Sequence, residues 1–593
     1  MKTTPWMKLC KGVALALTVS YGLTYCHTTK SKLTLEQQGD SLTVIHITNP
    51  TNYILLPIEE EAPESQVLLH TGEAADTDMD IRLAQTQVDY FVPFALPAGT
   101  RNVTVRVRNK SKDALCWKEI KLSDTFDTTN TEKFRPVYHH TPLYGWMNDA
   151  NGLVYKDGEY HLYFQYNPYG SKWGNMHWGH SVSKDLMHWE HLEPAIARDT
   201  LGHIFSGSSI VDQENVAGYG AGSILAFYTS ASDKNGQIQC LAFSKDNGRT
   251  FTKYEKNPIL RSSDGLKDFR DPKIWKKNGR YYCVVGNRYE ENCGQIVLFS
   301  SADYKNWRYE KVLLRNDGKN GDMLECPDYL EVDGYPVIIC SPQNMHAQKY
   351  EFHNGHNSIY IIGDAEKEIS DFAWEKKRNL DYGLDFYAPQ TTELPDGRWI
   401  MVAWMKSWDA RVMTKGQKWQ GMMTLPRELK IKDGKIWQSP VRELEKYKKN
   451  PTIYTEQKIS GQMSLDGING RVIDMTVEPT NVEGREFKVD VAHNEEYTTT
   501  FTYYPEKHQI EIDRTYSGVN ADVVCVRKIE IAEKHHAPKL HFIMDRYSVE
   551  LFINDGEQTA SVVIPTPLEA NEIIFTSDEA ATVNIEKYEI TFN

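Results

Sequence analysis

Five stretches of the chain repeat one order of elements: a polar head, an apolar strand, a tight turn and a second apolar strand. The heads begin at Asp149, Ser206, Asp271, Cys326 and Ala388. Four of the five stretches have Asp-Gly or Asn-Gly at the turn, the strongest short signal for a β-hairpin. Further strand patterns follow each hairpin, so that each unit holds four strands. Five such units in a row predict a five-bladed β-propeller.

The segments on either side of the repeat are also rich in strand patterns. Upstream, the alternation in Arg101-Asn-Val-Thr-Val-Arg-Val-Arg indicates a half-buried strand. Downstream, the stretch that begins at Asp545 has an Asp-Gly hairpin turn, and residues 446–451 are interpreted as a linker. A chain of 593 residues is too long for one core. We predict an all-β protein with a small N-terminal β-sandwich (27–130), a five-bladed β-propeller (131–447) and a C-terminal β-sandwich (448–593).

The first 26 residues have the features of an export signal. Lysines near the start precede the apolar stretch Gly12–Leu23, which is too short to span a bilayer. The stretch Leu23-Thr-Tyr-Cys26 resembles a bacterial lipoprotein box, although Tyr25 stands where a small residue is usual. We predict an exported protein of the periplasm or cell envelope with no transmembrane span. A lipid anchor at Cys26 and ordinary cleavage nearby both remain open.

Charge and cysteine usage exclude several classes of protein. The formal net charge is −14 and no basic stripe interrupts the acidic chain, so that no nucleic-acid partner is expected. The nine cysteines form no CxxC pair, and the scattered histidines have no metal-ligand spacing. We therefore predict no metal and no other cofactor.

Three of the predicted blades carry a carboxylate at the head. In a propeller the innermost strands line the central channel, and their heads meet at one mouth although they lie far apart in sequence. Asp149, Asp271 and Glu325 occupy these positions. Three carboxylates at one concave site suit the cleavage of a glycosidic bond, in which one attacks or directs water, one protonates the leaving oxygen and a third holds the sugar.

Short motifs around these carboxylates give a more specific indication. Trp146-Met-Asn-Asp-Ala-Asn-Gly152 resembles the WMNDPNG signature of glycoside hydrolase family 32, which contains invertases, levanases and inulinases. One departure is Ala150, where that family usually has proline. Six further stretches resemble motifs of the same family in the same order: Tyr163-Phe-Gln-Tyr-Asn-Pro, Trp173-Gly-Asn-Met-His-Trp-Gly-His180, Phe205-Ser-Gly-Ser208, Phe269-Arg-Asp-Pro272, Leu324-Glu-Cys-Pro327 and Asp385-Phe-Tyr-Ala388.

The resemblance implies a role for each of these residues. Asp149 would be the nucleophile, Glu325 the acid/base, and Asp271 the residue that stabilises the transition state. The resemblance also implies a partner, either a fructan such as levan or inulin, or sucrose, and exo cutting that releases fructose. The residues expected to bind the substrate are Trp146, Asn148, Gln165, Trp173, Phe205, Ser206, Arg270 and Trp404.

Other readings of the sequence remain open at this point. The choice among levan, inulin and sucrose is not readable, and endo cutting of levan is an alternative to exo cutting. Arabinan- and xylan-cleaving enzymes also use five blades and three carboxylates. Ser244-Lys-Asp-Asn-Gly-Arg-Thr-Phe fits the Asp-box of sialidases. A glycan-binding protein with an inactive propeller, or a transferase that builds fructan, would retain the same motifs.

Overall fold

The structure is a computed structural model of the full chain. It describes residues 30–592 except 40, 72–76, 97–98, 129–131, 263–267, 291, 317, 413–416, 519–523 and 533–536. The predicted export signal and Cys26 therefore lie outside the described residues. Within the described ranges, no helix combines the length and the apolar character needed to cross a bilayer.

The first strands form a small sandwich of two sheets, here called the N-terminal sandwich (residues 32–123). Alternate apolar residues of both sheets, such as Ile45, Ile54 and Val105, share one core. A single short helix, Cys116–Glu119, lies beside it. One sheet has the strand order Lys32–Gln37, Leu42–Thr48, Asn102–Arg108, Ser65–His70, Thr77–Ile81, and the other has the order Tyr90–Ala95, Tyr53–Ile58, Lys121–Ser123.

Five antiparallel sheets follow in chain order, which confirms the five-bladed propeller. Three of the four predicted Asp-Gly or Asn-Gly turns, at 157–158, 278–279 and 333–334, have positive φ at both residues, as two-residue type I′ hairpin turns require. The strands of blades 1 to 5, innermost first, are: Gly145–Lys156, Glu159–Asn167, His177–Ser183, Glu190–Ile196; His203–Asp212, Ser223–Ser232, Gly236–Ser244, Thr252–Lys253; Phe269–Lys277, Arg280–Glu290, Cys293–Ser301, Arg308–Arg315; Asn320–Val332, Tyr335–Met345, Ile359–Ile362, Arg378–Asn379; Tyr387–Glu393, Trp399–Trp404, Arg427–Lys432, Lys435–Pro440. Strand Trp419–Gln420 pairs in parallel with the innermost strand of blade 1.

Every innermost strand carries a β-bulge at the same level. In each blade two residues of the innermost strand oppose one residue of the next strand. Three of the five bulges have proline as their second residue, and proline cannot donate to the ladder. A bulge turns side chains away from the regular alternation of the strand and is common beside functional sites. The bulged pairs are Asn148-Asp149, Phe205-Ser206, Asp271-Pro272, Cys326-Pro327 and Ala388-Pro389.

The C-terminal strands form a sandwich around one apolar core, as predicted. Its longest strands, Lys448–Asn469 and Glu572–Ile590, pair with each other. The first half of Glu572–Ile590 also pairs with one layer and the second half with the other. The layers run Phe487–His493, Thr499–Tyr504, Gln509–Asp513, Val526–Glu530 and Ile473–Val482, Leu540–Asp545, Ser548–Ile553, Gln558–Val563.

The predicted linker at 446–451 is wrong. A 3-10 helix, Arg442–Tyr447, runs directly into the strand Lys448–Asn469. The polar Lys-Lys-Asn-Pro sequence that suggested a linker is the exposed start of this strand. Its proline is accommodated by a bulge between Lys449 and Thr452. Further 3-10 turns lie at Trp374–Lys376, Pro505–Lys507 and Asn554–Gly556.

A fully buried charged network joins the propeller to the C-terminal sandwich. Arg427 of blade 5 pairs with Asp381, at 3.0 Å, and with Glu550. His139 bonds Asp545 through Nδ1 at 3.0 Å and Glu550 through Nε2 at 2.8 Å. Burial lowers the pKa of His139, but its bonds to the two carboxylates raise it to about 9. The imidazolium is therefore charged at neutral pH and offsets the buried carboxylates.

Candidate active site

The bulge of blade 1 places Asp149 at the mouth of the propeller channel, where two side chains hold its carboxylate. Ser206, from the bulge of blade 2, donates its hydroxyl to Oδ2 at 2.7 Å. Asn148 donates to Oδ1 at 3.1 Å and accepts the indole N–H of Trp146 at 2.8 Å. The Trp146 bond fixes which way the Asn148 amide points. Both carboxylate oxygens of Asp149 are thus oriented by donors on neighbouring strands.

Asp149 is almost completely buried, and this changes its acidity. Burial and then the nearby charge of Glu325 raise its pKa from the ordinary value of 3.8 to about 6. The hydrogen bonds from Ser206 and Asn148 act in the opposite direction and limit the rise. At neutral pH the side chain is therefore predominantly an anion with little water around it.

Asp271 lies beside Asp149 in the bulge of blade 3. Its φ is +66°, a left-handed conformation that is uncommon for residues other than glycine. Two backbone bonds hold it there: its own N–H donates to Thr229 Oγ1 at 2.9 Å, and its Oδ2 accepts the N–H of Cys326 at 3.0 Å. Burial raises the pKa of Asp271; Arg270 opposes this rise, whereas Glu325 and Asp149 add to it.

Glu325, the third carboxylate of the group, lies on blade 4 immediately before the bulge of that blade. Arg270 donates to its Oε1 through Nε at 3.0 Å and through Nη2 at 2.9 Å. Tyr387 donates its hydroxyl to Oε2 at 2.7 Å. Asp268 accepts from Arg270 Nη1 at 2.6 Å on the far side of the guanidinium. The Glu325 carboxyl is therefore fixed by three donors from blades 3 and 5.

The thiol of Cys326 lies between two of the carboxylates. Its Sγ is 3.6 Å from Asp149 Oδ2 and 3.7 Å from Asp271 Oδ2. Burial and then the three surrounding carboxylates raise the pKa of Cys326 well above its ordinary value. The sulfur remains a neutral thiol at neutral pH, so it serves as a weak donor and a spacer and is not a thiolate nucleophile.

The remaining predicted residues occupy different depths of the site. Gln165 is buried opposite the bulge of blade 1 and donates to the Ile204 carbonyl at 3.0 Å. Phe205 lies between Trp173, whose ring it meets edge-on at 6.1 Å, and Ser206. Trp173 is 45% exposed at the rim. These side chains form a wall that runs from the rim down to the carboxylates.

Trp404 does not offer the open surface for a sugar ring that the sequence predicts. It is fully buried and meets Trp146 edge-on at 5.9 Å and Trp408 at 4.9 Å. Trp408, which is 36% exposed, stacks beside Trp146 at 6.3 Å. Trp404, the last residue of the second strand of blade 5, therefore packs against the other two rings as a buried support.

Two residues of this group were not assigned roles from the sequence. Tyr387 stands within Asp385-Phe-Tyr-Ala388, but the motif does not show that its hydroxyl reaches blade 4. Asp268 directly precedes Phe269-Arg-Asp-Pro272, where an acidic residue has no obvious function. Tyr387 acts from blade 5 on blade 4, a contact that follows from the closure of the propeller, whereas Asp268 acts on Arg270 within blade 3.

Metal ligation has no visible basis in the part of the chain that the structure describes. No group of three or more His, Cys, Asp and Glu side chains there is arranged to hold a metal ion. The three carboxylates are occupied by Arg270, by hydroxyl groups and by backbone N–H groups. Independence from metals and cofactors stays a prediction.

Comparison with protein families matches most of the chain. Residues 139–440 match the family model described as glycosyl hydrolases family 32 N-terminal domain, and residues 443–591 match its C-terminal counterpart. Residues 39–138 match a domain of unknown function. The chain belongs to glycoside hydrolase family 32 and is a glycoside hydrolase.

Characterised relatives share about a third of their residues with this chain. It is 36% identical over 466 residues to the levanase of Bacillus subtilis strain 168, covering 73% of this chain and 66% of the levanase. It is 34% identical over 443 residues to the raffinose invertase of Escherichia coli, covering 72% of this chain and 88% of the invertase. The chain thus spans just under two thirds of that levanase and most of the invertase.

Solved structures show the same architecture. A GH32 β-fructofuranosidase of Bombyx mori matches with a TM-score of 0.66 and 31% identity, covering 78% of this chain and 95% of that one. An exo-inulinase of Aspergillus awamori matches with a TM-score of 0.69 and 25% identity, covering 79% and 99%. In both cases about a fifth of this chain has no counterpart.

The raised pKa of Asp149 makes a prediction about stability. In the unfolded chain the carboxyl ionises near pH 4, whereas in the folded state it holds its proton until about pH 6. Stability is therefore lost between these two values, and above them the cost is of the order of 3 kcal/mol. Asp149→Asn removes this cost, so we expect it to raise the urea midpoint at pH 8 and to have little effect near pH 4.

Asp433→Asn, in the exposed hairpin turn of blade 5, is the matched control and should not change the midpoint at either pH. An Asp149→Asn variant that is less stable than the wild type at pH 8 would contradict the assigned burial cost.

Proposed function

We propose that this glycoside hydrolase cleaves the β-fructosidic bonds of fructans and sucrose with retention of configuration. The observation that carries the proposal is the arrangement of Asp149 and Glu325 on facing strand heads, each held by its own donors, with Asp271 beside them. Levanase, invertase and β-fructofuranosidase among the relatives support the same class of substrate. Membership of the family favours this reading over arabinan or xylan cleavage.

In the first step Asp149 attacks the anomeric carbon of the fructosyl unit. The bond from that carbon to the leaving oxygen breaks, and Glu325 transfers a proton to this oxygen. Ser206 and Asn148 hold the Asp149 carboxylate in place, so that little reorganisation is needed before the attack. The products of this step are a fructosyl ester on Asp149 and the released alcohol.

In the second step Glu325, now a carboxylate, takes a proton from water. The resulting hydroxide attacks the anomeric carbon, and Asp149 leaves as a carboxylate. Two displacements on opposite faces restore the β configuration. A sugar hydroxyl in place of water would give transfer, which is a minor variant of the same chemistry.

Asp271 and Arg270 stabilise the charged states around this centre. In its ionised form Asp271 stabilises the positive charge that develops on the sugar ring in the transition state, and its oxygens can accept hydrogen bonds from fructose hydroxyl groups. Arg270 orients Glu325 through two charge-assisted bonds, from Nε and Nη2, which converge on Oε1. Trp146, Gln165, Phe205 and Trp173 supply the wall against which the sugar packs.

We expect exo cutting, because Asp149, Asp271 and Glu325 are largely buried, which suits the end of a fructan chain better than its middle. Chromatography of products from levan, inulin and sucrose over time tests this. Free fructose as the first product from both polymers is the expected result. A ladder of oligosaccharides from levan would establish the endo alternative, and no product from any of the three would overturn the proposed function.

The role of Glu325 is tested by comparing two leaving groups. Glu325→Gln should lose several orders of magnitude in kcat on sucrose, whose leaving oxygen needs a proton. On a fructoside with an activated phenol leaving group the first step should survive, and azide should accelerate turnover and give a β-fructosyl azide. Glu331→Gln, on the same strand but exposed, is the control and should behave as wild type.

Equal losses on both substrates without acceleration by azide would remove the acid/base role from Glu325. An α-configured first product from the wild type would exclude retention.

We also propose that the chain is exported to the periplasm or cell envelope, with Cys26 as a lipid attachment site. The lysines before the apolar stretch Gly12–Leu23 and the lipoprotein-like box support this. Metabolic labelling with a fatty acid tests it: the wild type should be labelled and Cys26→Ser should not. Absence of label from the wild type would leave ordinary cleavage as the route.

A further inference from the structure

The loop that carries Trp173 is attached to the N-terminal sandwich on both sides of this residue. The loop is residues 168–176, which connect the second and third strands of blade 1. Trp173 presents nearly half of its surface to solvent, although the loop residue Asn175 is almost completely buried. The indole stacks on His203 at 6.2 Å with the planes 7° apart and meets Phe205 edge-on. Phe205 precedes Ser206, which donates to Asp149.

The first attachment precedes Trp173. Glu60 of the N-terminal sandwich accepts the N–H of Ser171 through Oε1 at 2.7 Å, and Tyr90 donates to the same carboxylate. Lys172 donates to the Glu60 carbonyl at 2.7 Å and to Glu61 Oε1 at 3.0 Å. The loop is therefore bonded to the N-terminal sandwich through the backbone of Ser171 and through the side chain of Lys172.

The second attachment follows Trp173. Asn175 donates to the Asp80 carbonyl at 2.7 Å and accepts the Asp80 N–H at 2.9 Å, so that its amide pairs with a strand end of the N-terminal sandwich. Its φ is +42°, which such a pair of bonds can hold. Arg198 of the propeller donates to the same Asn175 oxygen at 3.0 Å. Asn175 thus connects the loop to two parts of the chain.

Apolar packing adds a third attachment at the start of the loop. Tyr169 stacks on Phe94 at 5.7 Å, and its buried ring belongs to the core of the N-terminal sandwich. A propeller residue thus completes the core of the N-terminal sandwich. A tethered binding module would leave each core closed on its own. The two parts are therefore built as one unit at this loop.

We propose that the N-terminal sandwich is a positioning part of the active site, which holds residues 169–175 so that Trp173 forms the outer wall of the sugar-binding channel. Glu60 and Asn175 are positioning residues that act through Trp173. The ligand of this wall is a fructosyl unit of the substrate, so the inference rests on the proposed function. It assigns a task to a segment whose matching domain has no known function.

The position of Trp173 predicts which substrate depends on it most. Trp173 is exposed, whereas the carboxylates are largely buried, so that a longer fructan covers more of the indole than sucrose does. Removal of the attachment should therefore weaken binding of fructan more than binding of sucrose. Chemistry at Asp149 should be nearly unaffected, since Ser206 and Asn148 hold it independently of the loop.

The experiment uses the full chain with Glu60→Ala, Trp173→Ala and both together. We expect Glu60→Ala to raise KM for levan or inulin about tenfold with kcat within about twofold, and the double variant to equal Trp173→Ala alone. Glu60→Gln keeps an acceptor for the Ser171 N–H and should restore most of the affinity. Glu36→Ala, on the far edge strand of the N-terminal sandwich, is the control and should match wild type.

Hydrogen exchange supplies a readout that needs no substrate. Peptides that contain residues 168–176 should exchange faster in Glu60→Ala than in wild type, because the Ser171 N–H loses the shorter of its two bonds and keeps only the Tyr90 hydroxyl, which itself loses its partner. If Glu60→Ala does not fold, Lys172→Ala removes the bonds to the Glu60 carbonyl and to Glu61 and should give the same pattern.

Three results would overturn the inference. Unchanged exchange in the loop would show that the attachment does not hold it. Faster exchange with an unchanged KM would show that its position does not matter for binding. If the effects of Glu60→Ala and Trp173→Ala on KM are additive in the double variant, Glu60 does not act through Trp173. A wild type inactive on fructans and sucrose would refute the proposed function instead, and with it the sugar-binding role of the loop.

Discussion

The β-bulge at the head of every innermost strand is the constraint on which the site depends. In a regular strand, alternate side chains point to opposite faces, and the blades stack on both faces. The bulges break this alternation at one level of the channel and turn five pairs of residues toward its mouth. Asp149, Ser206, Asp271 and Cys326 are members of these pairs, and Glu325 directly precedes one. Five local irregularities in five distant segments therefore build a single centre.

Three carboxylates close together in a buried site destabilise the folded state, and the surrounding donors limit this destabilisation. Burial and then the charge of Glu325 raise the pKa of Asp149, and burial together with the charges of Glu325 and Asp149 raises the pKa of Asp271. Arg270 is the cation that contacts Glu325 directly, and Asp268 holds its far side. The remaining compensation comes from hydroxyl and backbone donors. A site that retains net negative charge suits a reaction whose transition state develops positive charge on the sugar ring.

Much of the fold was predictable, because the signals that specify it are local. Asp157-Gly158 and Asn278-Gly279 adopt the paired positive φ values that such turns require, and each joins the first two strands of a blade. The three carboxylates were found from strand-head positions and from motifs. The prolines after Asp271, Cys326 and Ala388 were themselves a sign of bulges, since proline within an inner strand is tolerated only where the ladder is interrupted.

Contacts between distant segments were not predictable in the same way. The bond from Tyr387 to Glu325 and the attachment of Asn175 to Asp80 join separate parts of the chain, and no local pattern encodes either. Trp404 was expected to offer a surface to a sugar ring, but it is buried against Trp146. The error at 446–451 has a similar cause: pairing with Glu572–Ile590 turns a polar stretch with a proline into strand.

The most direct test of this account is to identify the residue that becomes fructosylated. Glu325→Gln is mixed with a fructoside that has an activated leaving group, quenched in acid during the steady state, digested and analysed by mass spectrometry. The account predicts one fructosyl unit on the peptide of the first innermost strand, attached at Asp149. A fructosyl unit on Asp271 or Cys326, or no adduct while product still forms, would contradict it.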